Sequence, residues 1–152
     1  MHELRSPAWT AGLFALALLC SPAAFADANV TAPPMNSPDF DIGSDAVKSK
    51  NWDQAVYHLN IAAKAEPTNA DAQNLLGYAY RNQRKFDLAF KHYGEALRLN
   101  PQHRGAHEYM GEAYVIVGDK AKAQQHLAAL ERICGKGCEE YQDLAKAIAQ
   151  AK

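Results

Sequence analysis

The strongest constraint on this chain is that it matches itself at an offset of 34 residues. Set above residues 104–137 (RGAHEYMGEAYVIVGDKAKAQQHLAALERICGKG), residues 70–103 (ADAQNLLGYAYRNQRKFDLAFKHYGEALRLNPQH) bring Gly77 onto Gly111, Ala79 onto Ala113, Tyr80 onto Tyr114, Ala89 onto Ala123 and His92 onto His126. One period earlier, Gly43, Ala55, His58, Ala62 and Pro67 fall on Gly77, Ala89, His92, Ala96 and Pro101. A unit of this length cannot bury its apolar face alone, so copies must stack to make a core. The units should be helical: Ala dominates the 48% hydrophobic fraction, and Ala surrenders no side-chain entropy on entering a helix.

The pattern Leu76-Gly77-x2-Tyr80, followed by Ala89, Tyr93, Ala96 and Pro101, resembles the tetratricopeptide repeat, a helix-turn-helix unit. In the third copy Met110-Gly111-x2-Tyr114, Ala123 and Leu127 keep the pattern, while Leu130 stands for a small residue and Gly135 for the proline. The first copy has Ala46 in place of the tyrosine and Pro38 near its start, which predicts a short first helix. The resemblance implies an all-α solenoid of three repeats, about 36–69, 70–103 and 104–137, within a domain spanning 40–152. Small residues at the matched positions let paired helices approach, and Tyr80, Phe86, Tyr93, Leu97, Tyr114 and Leu127 fill the space between them. The open end needs a cover, and Tyr141, Leu144, Ala145 and Ile148, at i, i+3, i+4 and i+7, predict an amphipathic capping helix over about 139–150.

Upstream, MHELRSPAWTAGLFALALLCSPAAFA has a basic residue, an apolar run and small residues at Ala24 and Ala26, the pattern of a signal peptide cut after Ala26. The run is about half the length of a bilayer-crossing helix, so a retained anchor is the weaker alternative. A lipid-modified Cys20 is weaker again, because Leu18 and Leu19 precede it. Residues 27–39, rich in Pro, Asn and Asp, read as a flexible linker. A periplasmic or secreted protein with no stable membrane span after cleavage is expected. Formal charge is 16 basic against 17 acidic side chains, or −1, which lacks the basic signature of a nucleic-acid binder.

Export leaves Cys134 and Cys138, an even number in an oxidising compartment, and favours pairing them as a staple between the third repeat and the capping helix. Closing so short a loop is worth about 2 kcal/mol by the chain-entropy argument. A redox or metal role remains the alternative, although the spacer is one residue longer than C-x-x-C and two thiolates do not complete a zinc site. His58, His92 and His126 share one repeat position and should form a ladder rather than a metal site, and His103 and His107 are expected at a helix boundary. No metal or cofactor is expected. With no G-x-S-x-G, H-E-x-x-H or glycine-rich phosphate loop, neither is an enzyme.

The resemblance implies instead an adaptor or scaffold that binds a peptide or segment of another protein in a concave groove lined by the first helix of each repeat. The matching positions are Phe40, Ser44, Val47 and Lys48, then Asp71, Asn74, Tyr78, Arg81 and Asn82, then Glu108, Glu112, Val115 and Ile116. Tyr78 supplies area and a hydroxyl, while Asn74 and Asn82 could bond a peptide backbone in both directions. Phe40 and Ser44 replace the Lys and Asn that chaperone-binding members use to grip a terminal carboxylate, and Glu108 and Glu112 should repel one. The other functional class is a thiol- or metal-handling accessory protein acting through Cys134 and Cys138.

Overall fold

The computed structural model describes residues 37–151. The expected signal segment, Cys20 and most of the expected linker lie outside the described residues. Among the described residues seven helices follow one another: α1 (Pro38–Lys48), α2 (Trp52–Ala65), α3 (Ala70–Asn82), α4 (Phe86–Leu99), α5 (Arg104–Ile116), α6 (Lys120–Cys134) and α7 (Glu139–Gln150). There is no strand among the described residues, and none of their helices is long and apolar enough to cross a membrane.

The boundaries follow from local chemistry. Helix α1 begins at Pro38, inside the stretch read as linker, because Ser37 caps it by accepting from the Phe40 N–H and proline tolerates the first turn. At 11 residues it is only slightly shorter than α3 and α5, with 13 each. Each hairpin turns at a residue with positive φ, Lys50 (58°), Arg84 (64°) and Gly118 (84°), again 34 apart. The residue after each, Asn51, Lys85 or Asp119, sends its N–H back to a carbonyl near the end of the first helix (Ala46, Tyr80 and Tyr114, 2.8–2.9 Å). Asn51 and Asp119 then cap the second helix with their side chains; Lys85 does not.

Packing explains the small residues. A Cβ on Gly43 would lie 2.6 Å from Leu59, and one on Gly77 would lie 2.5 Å from Tyr93, so these glycines let the paired helices touch. The corresponding Gly111 meets Leu144 of α7, whose side chain is fully buried. The capping helix therefore occupies the close approach at the third repeat. Between hairpins, Leu76 and Ala79 of α3 join Ala46, Ala55 and Leu59 in one core cluster, and Ala89, Tyr93 and Ala113 form the next.

The contacts also fix the curvature. Helices α1, α3 and α5 touch in succession and α5 meets α7, whereas α2, α4 and α6 make no contact with one another. The layer of first helices is thus the inner one, and the second helices splay around it.

Candidate partner-binding groove

The inner layer carries the expected positions. From α3 and α5, Tyr78 and Tyr109 bring their rings to 4.7 Å, and Trp52 meets Tyr78 edge-on at 5.9 Å. Arg81 lies over both tyrosines, 4.9 Å from the Tyr78 centroid and 5.5 Å from that of Tyr109, and forms an ion pair with Glu112 across the repeat boundary. Burial opposes the Arg81 charge, but Tyr93, Glu112 and Tyr78 outweigh it and hold its pKa above the ordinary value. Arg81 thus ties α3 to α5 at the aromatic shelf.

Farther along, Arg81, Asn82, Glu112, Val115 and Ile116 converge on a cleft of about 400 Å³, completed by Arg84 and by Ala147 of the capping helix. Ile116 is 49% exposed at this cleft, with Val115 half-buried beside it. An apolar wall with guanidinium and amide groups around it suits a side chain entering from a partner. Ala147 escaped sequence reasoning because repeat positions do not extend to a cap. Tyr109 escaped because it aligns with Leu75, which packs against the first core cluster.

Other expected residues are placed differently. Asn74 is only 6% exposed and its Oδ1 has no hydrogen-bond partner, so it does not present an amide to a peptide. It is buried because α5 comes close at Gly105, where a Cβ would lie 3.3 Å from Asn74 Nδ2. Asn82 is exposed, but its amide donates to the Tyr78 carbonyl at 2.8 Å. Asp71 accepts from His103 Nε2 at 3.0 Å, while His103 Nδ1 caps α5 by accepting from the Ala106 N–H. In the first repeat, Phe40 and Val47 pack on the core, Ser44 is half-buried, and Lys48 pairs with Asp45 at 2.8 Å.

The electrostatics of the third repeat also differ from expectation. Burial, reinforced by Glu112, Asp143 and Glu140, pushes the Glu108 pKa up to about 8, so at neutral pH this side chain is mostly a neutral acid. Glu112 is paired with Arg81. Repulsion of a terminal carboxylate is therefore weaker than two free carboxylates would give.

Cys134 ends α6 and Cys138 precedes α7, with Cα atoms 5.9 Å apart and sulfurs at a bonding distance of 2.07 Å. Gly135, at φ 77°, makes the turn between them possible. The carboxylate of Glu140 lies with both sulfurs inside a span of 4.8 Å, and Arg104 reaches it at 3.3 Å.

Residues 70–103 match the family described as Tetratricopeptide repeat. Among curated proteins, the chain is similar to Protein O-mannosyl-transferase TMTC3 of Homo sapiens (31% identical over 78 residues) and of Mus musculus (34% over 77). These matches cover 50% and 49% of this chain but only 8% of either relative's length. Among solved structures, the fold resembles the first TPR of Spaghetti (RPAP3) bound to HSP90 peptide SRMEEVD, with a TM-score of 0.67 at 20% identity over 74% of this chain and 89% of that one. It also resembles the TPR2B domain of yeast Sti1 in its pHsp70 complex, with a TM-score of 0.67 at 18% identity over 75% and 95%. A MamA D159K mutant is similar at 26% identity, with a TM-score of 0.59 over 68% and 57%.

Proposed function

Because residues 70–103 carry a tetratricopeptide repeat within a three-hairpin solenoid of that fold, we propose that this chain is a non-enzymatic adaptor that binds a segment of another protein along its inner layer. The observation that carries this reading is the convergence of Arg81, Asn82, Glu112, Val115 and Ile116 on one cleft beside the Tyr78–Tyr109 shelf. Aromatic area next to an apolar recess with polar neighbours is the composition of a binding hot spot. Peptide-bound structures of the same fold support the mode of binding. Export to the periplasm or outside the cell, with Cys134 and Cys138 bonded as a staple, is part of the proposal and is supported by the leader-like first 26 residues.

A second reading places the function at the cysteines, and the closeness of Cys134, Cys138 and Glu140 favours it. The two separate in one experiment. The protein is immobilised, partners are captured from an envelope extract, and the capture is repeated with Ile116→Asp and with the double variant Cys134→Ser, Cys138→Ser. A charge in the cleft should weaken capture about tenfold, equivalent to ~1.4 kcal/mol, while the serines leave it intact. Capture that ignores Ile116→Asp but is lost with a folded double-serine protein would move the site to the cysteines.

A further inference from the structure

The histidine ladder has partners of three different kinds. His58 Nδ1 lies 2.8 Å from Asp39 Oδ1, His92 Nδ1 lies 2.8 Å from Gln73 Oε1, and His126 Nδ1 lies 3.0 Å from His107 Nδ1. Every pair spans 19 residues and ties the first helix of a hairpin to the second. The rungs are geometrically equivalent, and their chemistry runs from carboxylate to amide to imidazole.

These partners answer a proton differently. A charged His58 forms an ion pair with Asp39. A charged His92 still donates to the Gln73 carbonyl oxygen. In the third rung, His107 Nε2–H donates to the Pro101 carbonyl at 3.0 Å, which leaves His107 Nδ1 to accept from His126 Nδ1–H. A proton added at His107 Nδ1 sets two N–H groups against each other. A proton added at His126 Nε2 keeps the bond but puts a charge where His126 is stacked on Tyr114, with ring centroids 5.6 Å apart.

The relief available to such a charge is limited to the Pro101 carbonyl, which favours a charged His107, and the face of the Tyr114 ring beside His126. Arg132 of α6 opposes a proton on His107, and so does the titratable His103 at the cap of α5. Lys122 of α6 lies over Tyr114, 5.0 Å from its ring. Among the described residues, no carboxylate from α3, α4, α6 or α7 acts on either ring. Burial first, and then His107, lowers the His126 pKa to about 4; burial chiefly lowers that of His107.

We propose that the His107–His126 rung is a proton-operated latch between α5 and α6, so that acidification loosens the third hairpin while the first, held by His58 and Asp39, stays closed. The sign follows from linkage. An opened hairpin exposes imidazoles of ordinary pKa near 6.5, whereas the closed one refuses their protons, so closure is fully favoured above ~6.5 and is lost as pH falls from there towards ~4.

Amide hydrogen exchange on the full chain, corrected for the intrinsic effect of pH, tests this directly. Between pH 7.5 and 5, protection in α5 and α6 should fall about tenfold while that in α1 and α2 holds. His107→Asp, which copies the first rung, should abolish or reverse the acid loss. Should that variant fail to fold, His107→Gln, which copies the second, should reduce it. Unchanged protection of α5 and α6, a loss spread evenly over all three hairpins, or a folded His107→Asp protein as acid-sensitive as the parent would each overturn the latch.

Discussion

Lys85 stands where the other two hairpins place a helix cap. Its equivalents Asn51 and Asp119 accept from the N–H groups of Gln54 and Lys122, at 3.4 and 3.0 Å, while Lys85 makes no such bond to α4. Its ammonium lies 6.0 Å from the Tyr80 ring, a weak contact to lose. Lys85→Asp should therefore add ~1 kcal/mol, since a side-chain acceptor satisfies an orphan N–H and a carboxylate suits the positive end of a helix. A thermal melt followed by circular dichroism should rise by roughly 5 °C; an unchanged midpoint would mean that the turn cannot use the acceptor. At this scale the sequence was only partly legible. Phe40, Asn74 and Glu108 occupy one repeat position, which assigns them to one helical face but not to one depth. The depth of Asn74 depends on the approach of α5 at Gly105, and nothing in a single repeat encodes it. The Arg81–Glu112 pair spans 31 residues rather than the period, so aligning the copies does not reveal it.

Between elements, the tightest seams are made by glycine against a large side chain. Gly77 faces the Tyr93 ring, which is fully buried, so the ring has little freedom to retreat. Gly77→Ala should cost about 1–3 kcal/mol by forcing α3 and α4 apart. Gly94, in the middle of α4 with nothing within 4 Å of its would-be Cβ, is the natural control. Gly94→Ala should gain about 0.5–1 kcal/mol from backbone entropy alone. Opposite shifts of the urea midpoint, with the slope unchanged, are the expected pair of results. The seams at Gly43 and Gly77 were legible because these glycines recur with the period, and so were the hairpins and the cap, but the equivalent Gly111 closes on Leu144 of the cap instead of on its own hairpin partner. The histidine rungs were half legible. His58, His92 and His126 stand out as identical residues, but their partners Asp39, Gln73 and His107 share a position without sharing a chemistry.

Over the whole molecule, stability at the C-terminal end depends on α7. Leu144 is fully buried against Gly111, while Tyr141, Ala145 and Ile148 are half-buried around it. Leu144→Ala should cost 2–5 kcal/mol, in the range of ~3 for a buried leucine. Stacked repeats speak only to their neighbours, so the loss should concentrate in α5 to α7 and broaden the unfolding transition. A melt that stays sharp and merely shifts would show the hairpins to be more tightly coupled. The direction of curvature was legible through the family resemblance rather than through the period, which places the helices in pairs without saying which layer lies inside.

Every interhelical contact joins elements one or two places apart in the chain, from α1 with α2 to α5 with α7. Among the described residues, no helix has to wait for a distant partner to be synthesised before it can settle. Loop closure, the slow and entropically costly step for folds with remote strand pairings, is here short throughout. A chain of this design can form its first hairpin while its last is still being made, and a molecule pulled open by one end can close again in the same order.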